Sequence, residues 1–143
     1  MKQMSAWRTS RLLLVAVAAS AGVVVGVGVE RNVFAQQPGI KRTILLRADD
    51  PAGQNYEAVV GVAEIPPGMS AGRHRHNGIE LGYVLEGSVI VEPEGKPAAT
   101  LSAGQAFKND PGVHNAKNPG KTPVKILAVY IVEKGKPLAE PVP

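Results

Sequence analysis

The chain holds three histidines, His74, His76 and His114. His74 and His76 are two apart, Glu80 follows four residues later, and His114 lies downstream in a stretch punctuated by glycine and proline. Alternate residues of a strand point to one face, about 7 Å apart, so a strand carrying His74 and His76 aims both imidazoles into one cavity. A neighbouring strand can add the His114 nitrogen, and Glu80 a carboxylate oxygen. Imidazole suits zinc, copper, iron and nickel, and a carboxylate also admits manganese. A histidine pair alone is more often solvated or hydrogen-bonded than ligating. The coincidence of the pair with Glu80 and His114 makes metal binding the stronger reading, with His74, His76, Glu80 and His114 as ligands. Glu80 has a second available role as a base that takes a proton from a bound substrate.

Strands must position these groups. Short β-rich runs alternate with Gly/Pro turns, and no convincing helical period follows residue 36. The pattern predicts strands over Thr43–Arg47, Tyr56–Ile65, His74–Leu85, Ser88–Glu92, Gln105–Lys108 and Val124–Val132. Turns fall at Asp50-Pro51-Ala52-Gly53, Pro66-Pro67-Gly68, Glu86-Gly87, Pro93-Glu94-Gly95, Asp110-Pro111-Gly112 and Asn118-Pro119-Gly120. Such spacing suits a sandwich or a barrel, and pattern alone does not choose between them. Gly68 and Gly87 are expected in turns that need positive φ, and Pro111 in a loop that delivers His114. Arg73 and Arg75 have the opposite strand parity to the histidines and should face solvent. Tyr83, Phe107 and Tyr130 are read as barrel-interior packing residues. Tyr56, Tyr83, Phe107 and Tyr130 are the only aromatics after residue 36, which disfavours a site that stacks sugar rings.

The spacing Gly68-x5-His74-x-His76-x3-Glu80-x6-Gly87 resembles the first motif of the cupin superfamily at every marked position. The second motif is matched by Gly104, Pro111, Gly112, His114 and Asn118, with Pro111 one place late and His114 one place early relative to Gly104. The resemblance runs from about Ile40 to Val132. It implies a single-domain, all-β jelly-roll β-barrel with one divalent transition metal ion (Mn, Fe, Ni, Cu or Zn). By analogy with cupins it also implies a homodimer.

Residues 1–35 read as an export signal. Lys2, Arg8 and Arg11 precede an uncharged, largely apolar run from Leu12 to Val29, and Val33-Phe34-Ala35 offers a cleavage site before Gln36. The alternative is an uncleaved anchor, since the run approaches membrane-spanning length. The expected organisation is therefore 1–35 signal, 36–133 barrel and 134–143 Pro-rich tail, in a periplasmic or secreted protein. The tail cannot join a central strand; it either drapes over the barrel or stays disordered. Formal net charge is +4, and Lys2, Arg8, Arg11 and Arg31 against Glu30 give +3 to residues 1–35, leaving +1 for the 108 that follow. No basic stripe or aromatic platform points to nucleic acid. With no cysteine, disulfides and thiolate chemistry are excluded.

Three imidazoles and one carboxylate leave open positions on a five- or six-coordinate ion, the mark of a catalytic rather than a structural site. Cupins with similar sites include dioxygenases, oxalate-degrading enzymes and sugar-phosphate isomerases, and the barrel also serves in binding domains. The expected function is a metal-dependent oxidoreductase, dioxygenase-like, acting on a small oxygen-rich molecule. The alternative is a non-catalytic metal-containing domain that binds a small molecule.

Overall fold

Strict alternation of small β-branched and outward residues makes Tyr56–Ile65 a strand along its whole predicted length, burying Glu57, Val59, Gly61 and Ile65 on one side. The computed structural model describes residues 39–143; the proposed export segment lies outside them. The described residues form ten strands: β1 (Lys41–Asp49), β2 (Tyr56–Ile65), β3 (His74–Arg75), β4 (Gly78–Glu86), β5 (Ser88–Pro93), β6 (Ala99–Ser102), β7 (Ala106–Asn109), β8 (His114–Lys117), β9 (Val124–Glu133) and β10 (Glu140–Pro141). No helix occurs among these residues.

The strands make two five-stranded sheets, ordered β1-β2-β9-β4-β7 and β10-β3-β8-β5-β6, with every pairing antiparallel. Val59, Ile65, Val84, Val89, Val91, Val124, Ile126 and Val132 form the core between them. A bulge at Leu45 interrupts the β1–β2 register and turns the outer half of β1. As expected, Gly68 and Gly87 take positive φ, at 69° and 79°.

Two expectations need correction. The single strand expected over His74–Leu85 is two strands, β3 in one sheet and β4 in the other, because the chain crosses between sheets at His76-Asn77. Gly78 makes the crossing feasible: a Cβ there would collide with the Ile131 carbonyl on β9. Tyr83 is not an interior residue. It shares the outward parity of Leu81 and Leu85 and is exposed, whereas Tyr130 is buried and Phe107 packs against the core. The residues of β6 and β8 pair with β5 across the second sheet, although both strands are too short to show a period.

The tail reaches the sheet as an edge strand. Glu140 and Pro141 pair with Arg75 and His74 on β3. The edge is where proline is tolerated, since its missing N–H is not needed by a second neighbour.

Candidate metal centre

His74 and His114 are direct cross-strand partners between β3 and β8, so their side chains leave the sheet on the same face. On the opposite sheet, Glu80 of β4 lies in register between Tyr130 of β9 and Asn109 of β7. One rank of each sheet thus faces the other across the interior, and His76 enters from the crossing. Cross-strand pairing, rather than one continuous strand, brings the histidines together. His74, His76, Glu80 and His114 are all buried.

The ligand atoms of the three histidines lie within 4.8 Å of one another. Glu80 Oε2 stands 3.3 Å from His114 Nε2 and 3.6 Å from His76 Nε2. Ligand atoms sharing one ion at 2.0–2.2 Å are about 3.0–3.6 Å apart, so the carboxylate–imidazole spacing fits coordination to a common centre. Each Nδ1 meets a backbone carbonyl: Gly72 for His74 (2.9 Å), Gly112 for His114 (3.3 Å) and Leu138 for His76. A carbonyl only accepts, so Nδ1 carries the proton and the Nε2 lone pair is left free. Nε2 of both His76 and His114 is buried with no hydrogen-bond donor facing it.

Two lone pairs therefore confront a carboxylate in a buried space, an arrangement that requires a positive charge between them. Burial alone would raise the Glu80 carboxyl, but contact with His114 and then His76 outweighs it and holds the group well below the ordinary range. Those contacts stabilise the anion only if the nitrogens share positive charge with it, from protons or a metal ion. Burial also pushes His74 down to about 4, with the charges of His114, His76 and Arg42 acting in the same direction against its bond to Gly72. His74 is thus neutral at pH 7, as a ligand must be. The donor set and its tautomers fit a divalent metal.

Around this cluster sit groups that sequence reasoning did not assign to the site. Asn109 Nδ2 donates to Glu80 Oε2 at 2.8 Å, and its own Oδ1 is buried without a partner. Tyr130 lines the same cavity as Glu80 and Arg42; burial first, then the Glu80 charge, raises its hydroxyl well above its usual range. Arg42, on the edge strand β1, shares the inward parity of Ile44 and of Ile40 just before the strand. A cation at an apolar parity was the available signal. Arg42, His74, Glu80, Asn109, His114 and Tyr130 line a cavity of about 30 Å³; on that measure one water needs about 10–15 Å³. As expected, Arg73 and Arg75 face outward, paired with Glu94 and Glu140.

These features define a member of the cupin superfamily. The model of the cupin domain matches residues 61–130, and the chain belongs to that superfamily. It is similar, at 33% identity over 70 residues, to an oxalate-binding protein of Thermotoga maritima, covering 48% of this chain and 58% of that protein. The match therefore spans less than two thirds of the curated relative's length. Among solved structures it resembles a predicted oxalate decarboxylase from Thermotoga maritima, with TM-score 0.54 and 29% identity over 65% of this chain and 80% of the other. It also resembles KdgF from a Halomonas species, with TM-score 0.53 and 26% identity over 66% and 82% of the two chains.

Proposed function

We propose that the protein holds one divalent transition metal ion through His74, His76 and His114, with Glu80 as fourth ligand. We further propose that it acts as a metal-dependent oxidoreductase on a small, oxygen-rich acid. The observation that carries this reading is the buried meeting of the His76 and His114 Nε2 lone pairs with Glu80 Oε2. A bound ion would supply Lewis acidity and, if redox-active, electron transfer to a chelating oxygen ligand or dioxygen. Arg42 supports the acidic character of that ligand: it lines the cavity and makes no ion pair among the described residues. Its fork of N–H donors suits a carboxylate. Glu80 and the Tyr130 hydroxyl, which line the same cavity, are placed to hold a proton beside the ligand. The small cavity limits the ligand to a few heavy atoms.

The second reading is metal-dependent binding without turnover, which the likeness to an oxalate-binding protein favours. Protein loaded with manganese, iron, nickel or copper is tested for oxygen consumption and carbon dioxide release with oxalate, polyphenols and enediols. Turnover of a small acid is expected. Calorimetric binding of oxalate with no turnover would move the assignment to the binding domain, and failure to retain any metal would end both.

Export and assembly belong to the same proposal. Residues 1–35 carry the features of an export signal, which would place the barrel in the periplasm or outside the cell. The outer face of the first sheet presents Leu46, Val60, Val129 and Leu81 in one cross-strand rank, with Tyr83 and Ile131 beside it. A continuous apolar face of this kind matches the buried centre of an ordinary dimer interface, and a second copy covers it by two-fold contact. Light scattering is expected to show a dimer that Leu81→Lys dissociates; a wild-type monomer at about 100 μM, well above the Kd of a stable dimer, would refute it.

A further inference from the structure

The three imidazoles are not oriented in the same way. His74 and His114 each bond the carbonyl two residues earlier in their own loop, at Gly72 and Gly112. Those contacts form whenever the loop does. His76 has no such local partner. Its Nδ1–H donates to the carbonyl of Leu138, 62 residues away in the Pro-rich tail.

The tail grips the residues on both sides of His76 as well. Glu140 accepts from Arg75 Nε at 2.9 Å and from Asn77 Nδ2 at 2.8 Å. Pairing of β10 with β3 places Glu140 opposite Arg75, and the Val142 N–H donates to the Arg73 carbonyl at 2.9 Å. Leu138 and Ala139 are buried, and Leu138 belongs to the hydrophobic core. Gly135, at φ 79°, turns the chain back from β9 so that this docking is possible. The proline at 141 falls on the edge, and the residues between the prolines supply the anchoring groups.

We propose that residues 137–143 are the positioning element for His76, so that docking of this segment and metal binding strengthen each other. The proposal rests on the metal reading above. A carbonyl that fixes tautomer and ring orientation is worth about 10–100-fold in metal affinity when lost. By linkage, the metal must tighten tail docking by the same factor that the docked tail tightens metal binding. The other two histidines keep their carbonyls in a chain that ends at Lys136, so such a chain retains two well-oriented ligands and Glu80.

The test compares the full chain with one ending at Lys136. Cobalt(II) affinity is measured by competition against a chromophoric chelator, with circular dichroism to check that the barrel is intact. A 10–100-fold rise in Kd is expected on truncation. Because truncation also removes buried Leu138, Glu140→Ala in the full chain is measured beside it, and Glu140→Gln, which keeps one acceptor oxygen, is expected to recover part of the loss. In the full chain, saturating cobalt is expected to slow amide exchange of Leu138, Ala139, Glu140 and Val142 about 10–100-fold, as reciprocity demands. A folded truncated chain that binds cobalt within twofold of the full chain overturns the coupling, as does tail exchange that cobalt leaves unchanged. A full chain that binds no cobalt removes the metal reading and the coupling together, so the two failures are told apart by the full chain alone.

Discussion

His114→Ala is expected to weaken divalent-metal binding by well over about 100-fold, because groups that only orient a ligand are already worth about 10–100-fold. The residue supplies one of the Nε2 atoms facing Glu80 and pairs directly with His74 across β3 and β8. The loss should also appear in stability. A ligand at 1,000 times its Kd stabilises the folded state by about 4 kcal/mol, which for a domain of this size raises Tm by roughly 15–30 °C. Wild-type protein should therefore show a large melting shift between chelator-treated and metal-loaded forms, and His114→Ala almost none under the same conditions. Equal shifts in the two proteins would show that the ion binds elsewhere.

Acidification should destabilise the metal-free protein in a defined window. His74 titrates at about 4 in the folded chain and near 6.5 when unfolded. Between those values the unfolded chain binds a proton that the folded chain refuses, so stability is full above pH 6.5 and falls as pH drops. Below about pH 4 this contribution has been lost completely. A difference of this size corresponds to about 3 kcal/mol. Glu80 acts in the same direction at lower pH, since its folded value is depressed and its stabilisation disappears as the carboxylate is protonated. Urea denaturation of chelator-treated protein at pH 7.5 and pH 4 measures the change; equal midpoints would show that His74 is not buried as described. In metal-loaded protein the sequence alone places proton competition near the ordinary histidine value. Burial moves that competition, for His74, toward pH 4.

The spacing of His74, His76 and Glu80, and the Gly68 and Gly87 that bracket them, were enough to identify the fold and to select the residues that meet in its interior. Such a pattern is local: alternation, turn glycines and ligand types are written in consecutive residues. The strand expected through His74–Leu85 shows where that stops, because no local signal marks the point at which a chain leaves one sheet for the other. Tyr83 lay within reach of the sequence, since its parity on β4 is opposite to that of the inward Glu80; reading it as an interior aromatic passed over that rule. Arg42 and Asn109 enter the site by register with strands far away in sequence, and neither carries a motif of its own.

The tail is the clearest case. By itself the sequence determined that the Pro-rich residues 134–143 could not occupy a central strand, because proline lacks a ladder donor. It also determined which imidazoles and which carboxylate the chain could offer to a cation. Only the tertiary structure decided that β10 lies against β3, that Leu138 orients His76, and that two Nε2 lone pairs meet Glu80 at 3.3 and 3.6 Å. Those outcomes depend on which distant carbonyl or carboxylate packing brings within a few ångströms of each ring, a quantity that residue spacing does not encode.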